Sequence, residues 1–188
     1  SLSAVGFAFL SALGVSAAYG FIGACWLVMK TDGELQRRAA YWARRFGWIS
    51  FVGIIAVCLV NPLVNERVYQ KWFSFPSALV FFHIPLLCVL LFVVVDRLLK
   101  RIPLPGDDLS WVPFVGAASI FLIAFEGLAY SFYPYVIPGT LTLEEAISAP
   151  EGLNFIFYGV VVVVPIILLY TLMAYRIFWG KAKDLRYY

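Results

Sequence analysis

Five long apolar runs separated by short polar segments set the pattern of this chain: residues 2–29, 46–64, 75–95, 111–133 and 153–179. The first has no charged residue between Leu2 and Met29, and at ~1.5 Å per residue such a run crosses a ~30 Å hydrocarbon core with some tilt. The expected fold is an all-α integral membrane protein of five transmembrane helices, forming a single transmembrane helical domain over residues 1–188.

The polar segments carry the rest of the pattern. Lys30, Arg37, Arg38, Arg44 and Arg45 crowd the first, where Asp32 to Arg45 can be drawn as a surface helix with Leu35, Ala39 and Trp42 on one face. The second, Asn65 to Ser74, has only Arg67 and Lys71 as basic residues. The third holds Arg97, Lys100 and Arg101 and then a turn-rich Pro103-Leu104-Pro105-Gly106-Asp107-Asp108, whose prolines cannot continue a helix. In the fourth, Pro134 and Pro138 break the chain and Thr142 to Ala146 reads as a short capped helical turn. A basic tail, Lys181 to Arg186, closes the sequence.

Five spans force alternate segments to opposite sides, and twelve of the fourteen Lys and Arg residues fall on one of them. By the positive-inside rule the N-terminus is expected outside and the C-terminus in the cytoplasm. All six tryptophans lie at or near span ends or in flanking segments, as headgroup-level anchors do. Within the first span Ala4, Ala8, Ala12, Ser16, Gly20 and Ala24 recur at i+4. Such a row of small side chains lets a neighbouring helix approach closely, and it predicts a helix-packing face.

Composition agrees with a membrane protein: 63% of residues are hydrophobic and 13% charged, against ~45–50% and ~25% in soluble domains. The net charge of +3 marks orientation, not a nucleic-acid surface. Cys25, Cys58 and Cys88 stand singly in apolar runs and suggest neither a metal site nor a redox pair. The one histidine, His83, lies near the outer end of its span, whereas Met29 and Met173 lie near inner ends, so a haem with two axial ligands from this chain is not expected. Glu144 and Glu145 read as a solvated helix start. No catalytic residue and no metal site are expected.

His83 and Glu126 are ionisable residues well inside predicted spans, each about 7 positions or ~10 Å from the outer end. An ionisable group at that depth is costly to leave unpaired, so an intramembrane polar pair is expected. Pro85 and Pro165 interrupt the third and fifth spans; interrupted helices also mark transporter sites.

Two stretches carry a family resemblance. Gly23 to Leu35, with Trp26, Lys30, Thr31, Gly33 and Leu35, resembles the segment of subunit II of cytochrome bd-type quinol oxidases in which a Lys/Arg-Thr-x-Gly-x-Leu sequence leaves the membrane. Tyr133 to Pro138, with Pro134 and Pro138, and later Val164 to Thr171 are similar to the end of the same subunit, and Trp72 to Pro76 resembles its cyanide-insensitive branch. The resemblance implies a complex that oxidises quinol and reduces dioxygen to water, taking protons for water from the cytoplasmic side. It also implies haems held by a partner subunit I, a haem-free subunit II with no cofactor of its own, quinol as the complex's substrate, and a bacterial or archaeal cytoplasmic membrane as the location. The partners implied are subunit I, a small single-span subunit, lipid and quinone.

Subunit II of that family is longer and begins with a four-helix portion carrying acidic residues tied to proton delivery. The present sequence does not show that portion; it is expected to be either the C-terminal part of a longer subunit or an unusually short relative, and in both cases none of those residues carries over. Two competing readings stay open: a fragment of a transporter or permease, and a scaffolding subunit of another respiratory complex.

Overall fold

In the computed structural model, which describes residues 2–64, 66–75, 77–137, 140–178 and 180–182, the first two apolar runs become α1 (Leu2–Lys30) and α2 (Gly33–Val64). Pro138, Trp179, the tail from Lys183 and the side chain of Ala4 lie outside the described residues. Thr31 and Asp32 alone join the two helices, and Gly33 makes the reversal with a φ of 62°, a conformation that costs glycine little. The helices pack antiparallel and close. A Cβ added to Gly53 would lie 3.6 Å from the Gly14 Cα, and one added to Gly47 would lie 3.0 Å from the Phe21 ring and 3.3 Å from Phe92.

The expected surface helix over Asp32 to Arg45 is instead the opening of α2, continuous with the second span. Its buried residues are Gln36, Ala39, Ala40 and Ala43, whereas Leu35 and Trp42 are exposed. The physical reason is the small-residue face: alanines at 39, 40 and 43 let α2 seat against Ala24, Cys25 and Val28 of α1 in one apolar cluster, while Arg37 and Arg38 point to solvent. Because Gly20 meets Phe46 and Phe21 meets Gly47, Arg44 and Arg45 stand level with α1 residues about seven positions before Lys30. The hairpin tip therefore projects ~10 Å or more beyond the level where the charge-free part of α2 begins.

The second polar segment forms α3 (Glu66–Phe73). Val68 is buried on its inner face and Trp72 donates to the Ser131 hydroxyl at 3.4 Å. α4 (Ser77–Leu99) and α5 (Val112–Phe132) complete the bundle. Cys88, Phe92, Val95 and Leu99 of α4 join the cluster with Ala117 and Ile120 of α5, and the Phe51 and Phe92 rings stack with centroids 4.3 Å apart. Two glycines let α5 approach α4: Gly116 faces Val95, and a Cβ on Gly127 would fall 2.9 Å from Ile84. α4 is continuous through Pro85.

Contacts divide the chain into two units, Ser1–Ser131 with Lys181–Tyr188, and Phe132–Gly180. In the second unit β1 (Tyr135–Ile137) pairs antiparallel with β2 (Leu141–Thr142), a hairpin the sequence pattern does not announce. α6 (Leu143–Ala146) follows with the expected cap: the Thr142 hydroxyl accepts from the Glu145 amide at 3.3 Å, and the Glu145 carboxylate accepts from the Thr142 amide at 2.9 Å. This is a reciprocal capping box. α7 (Pro150–Ile177) starts with proline in its first turn, runs unbroken through Pro165 and buries none of its residues. Among the described residues, five helices are long and apolar enough to cross a membrane: Ala8–Lys30, Gly33–Val60, Phe82–Leu99, Val112–Phe132 and Pro150–Ile177.

Candidate functional site

The residues that follow α1 build a closed polar tip. Lys30 lies over the Trp26 ring, 5.3 Å from its centroid, and Trp26 meets Phe114 edge to face at 5.0 Å. Thr31 is buried, and its amide and hydroxyl both donate to the Leu27 carbonyl, at 3.0 and 2.6 Å. It thereby satisfies a carbonyl that the end of a helix leaves without a partner. Gly33 turns the chain and Leu35 projects outward, exposed. Thr31 and Gly33 thus end α1 and reverse the chain within two residues, with Lys30 held over Trp26 beside them.

Three further side chains and one backbone amide lock this tip. Gln36, 1% exposed, donates from Nε2 to the Val28 carbonyl at 3.1 Å and to Asp107 Oδ1 at 2.8 Å. Lys181 donates from Nζ to the Thr31 carbonyl at 3.1 Å, pairs with Asp32 at 2.5 Å and forms an ion pair with Asp107. The Ala182 amide adds a bond to the Lys30 carbonyl at 2.8 Å. Asp107 takes a φ of 56° just after Gly106, a left-handed position that aspartate tolerates better than most residues. Sequence reasoning misses Gln36, Asp107 and Lys181 as a group. The one local signal is the Pro-Gly-Asp turn.

A second polar group lies where the apolar run of α2 begins and that of α4 ends. Asp96, with 8% of its side chain exposed, accepts from Arg44 Nε at 3.0 Å and pairs with Lys100 at 2.8 Å. Asp32 and Asp107 share the single ammonium of Lys181, whereas Asp96 has two cationic partners, so the chemistry of both groups is that of anchoring through ion pairs.

The other sequence-derived residues are placed as follows. His83 and Glu126 are both exposed, and among the described residues no hydrogen bond or ion pair joins them, although the neighbouring Ile84 and Gly127 touch. Of the small-residue row, Ala24 is buried and Gly20 is half-buried against Phe46, but Ala8, Ala12 and Ser16 are exposed. The face of α1 that packs within the chain instead runs through Gly14, Ala17, Phe21, Cys25 and Val28. Pro134 precedes β1 and its carbonyl accepts from the Leu143 amide at 2.7 Å; Pro138 is outside the described residues. Met29 is at the end of α1 that clusters with Leu99, and His83 lies sixteen residues before Leu99, ~24 Å along α4. The two cannot ligate one iron.

The model of the family described as cytochrome bd terminal oxidase subunit II matches residues 3–178. A comparison with curated proteins gave no match.

Proposed function

The chain belongs to the cytochrome bd terminal oxidase subunit II family, and from that premise we propose that it serves as the haem-free membrane subunit beside a haem-bearing subunit I that oxidises quinol and reduces dioxygen to water. As a member of this family it is a multi-pass membrane component of an oxidoreductase complex and associates with subunit I. The family match over nearly the whole chain is the observation that carries the reading. The separation of His83 from Met29 supports placing the haems in the partner. A work split follows: the partner holds the redox centres, and this chain supplies a packed helical wall with a polar tip on its basic side.

The distribution of basic residues supports a cytoplasmic location for the α1–α2 tip and for the segment after α4, in a bacterial or archaeal cytoplasmic membrane. A small single-span subunit and quinone complete the expected partners. The transporter reading drew on Pro85, Pro165 and the ionisable residues inside the spans; α4 and α7 are each continuous through these prolines, which takes away the first of its two grounds.

Purification of the complex through a tag on this chain tests the proposal. The expected result is a preparation with haem absorbance bands and quinol-dependent oxygen consumption. A complex without haem would overturn the oxidase reading, and haem that stays on this chain after the subunits are separated would overturn the haem-free assignment.

A further inference from the structure

Tyr41, Arg44, Arg45, Trp48 and Ile49 recur at helical spacing on one face of α2 and line an open groove of about 400 Å³. The groove lies where the charge-free run of α2 begins at Phe46, so it stands at the level of lipid headgroups, with aromatic rings where such rings favour the interface. Both guanidinium groups are held in place. Arg45 lies over the Tyr41 ring, 4.7 Å from its centroid, and Arg44 is tethered through Nε to Asp96 at 3.0 Å. Asp96 is shared with Lys100, and Arg45 has no ion pair among the described residues. The groove therefore carries positive charge that the protein leaves uncompensated. From it an exposed apolar stripe, Ile49, Val52, Ile55 and Leu59, continues along α2 at three- and four-residue steps.

We propose that this groove binds an anionic phospholipid, its phosphate between Arg44 and Arg45 and one acyl chain along the stripe from Ile49 to Leu59. Guanidinium groups match phosphate oxygens in geometry and charge, and a basic pocket at a membrane surface selects anionic headgroups. Tyr41 and Trp48 flank the headgroup, and the stripe provides the apolar track that a soluble phosphate would not need. The inference rests on the membrane-spanning helices and on no redox role, so its failure would leave the oxidase reading intact.

The test is native mass spectrometry of the tagged full chain with its partners, purified in mild detergent, delipidated and titrated with phosphatidylglycerol or phosphatidylcholine. In the wild type, phosphatidylglycerol should be retained in preference to phosphatidylcholine, and inorganic phosphate should not displace it. Arg45→Gln should weaken phosphatidylglycerol retention about tenfold, the loss of one charge-assisted contact. Arg37→Gln removes an equal charge from the same helix outside the groove and should leave retention unchanged. Equal loss in Arg37→Gln and Arg45→Gln, no preference between the two lipids, displacement by inorganic phosphate, or no retained lipid in the wild type would each overturn the proposal.

Discussion

Replacing Asp96 by asparagine separates two kinds of ion pair that share one carboxylate. The Asp96 side chain is 8% exposed, Arg44 is 35% exposed and reaches it from another helix, and Lys100 is 50% exposed one turn further along α4. Breaking a fully buried pair costs about 3–5 kcal/mol, whereas exposed pairs are worth about 0.2–1 kcal/mol. Here the anion is buried but both cations reach water, and asparagine still offers an acceptor to Arg44. The loss expected for Asp96→Asn is therefore intermediate, about 1–2 kcal/mol.

Double-mutant cycles apportion it. Coupling of Asp96 with Arg44→Gln should be about 1 kcal/mol or more, and coupling with Lys100→Gln about 0.3–0.5 kcal/mol, the range of a pair four residues apart on one helix. Unfolding of the purified complex in mixed micelles with rising dodecyl sulfate, followed by circular dichroism at low and high salt, supplies the four corners of each cycle. Screening should erase the Lys100 coupling and spare most of that with Arg44. Equal couplings, or an Arg44 coupling that vanishes with salt, would refute the assignment of Asp96 as an interhelical anchor.

Other outcomes follow from the packing. A Cβ on Gly20 would stand 3.0 Å from the Phe46 ring, so Gly20→Leu should cost about 1–3 kcal/mol by overpacking and lower the yield of assembled complex; wild-type yield would contradict it. Glu145→Gln removes the carboxylate from the α6 capping box. Hydrogen bonds from the backbone and side chain of Thr142 hold the Glu145 pKa below its ordinary value, so the cap's contribution is present above the usual Glu range and is lost as pH falls through the depressed value. Amide exchange at Thr142, corrected for intrinsic rates, should accelerate across that acid window in the wild type and show no such step in Glu145→Gln. Because His83 and Glu126 share no bond, the stability losses of His83→Ala and Glu126→Gln should add within about 0.3–0.5 kcal/mol; a larger coupling measured by the same unfolding assay would establish contact.

The spans were legible because a predominantly apolar run of about 20 residues has few alternatives, and the Thr142–Glu145 cap because both partners lie within one turn. The opening of α2 was not. Four arginines there suggested a surface segment, and the alanines that seat it against α1 are too plain to stand out. The small-residue row shows a related limit. In α1 the row from Ala8 to Ala24 and the packed face from Gly14 to Val28 interleave, and spacing alone does not choose between them. The family motif was recognisable from Trp26 to Leu35, but what locks it was not, since Lys181 and Asp32 are 149 residues apart.

That separation has a consequence in time. The chain emerges from the ribosome from its N-terminus, at roughly 5–20 residues per second, so Asp32 waits roughly 7–30 s for the lysine that neutralises it. Asp107 waits a shorter interval for the same side chain. During that period the two aspartates have like charge and converge on one place, with the Gln36 amide alone bonded to Asp107. The tip can close only after α7 has been made and Lys181 has followed it out. A nascent chain halted before that residue carries an unpaired acidic tip, which distinguishes it chemically from a finished one.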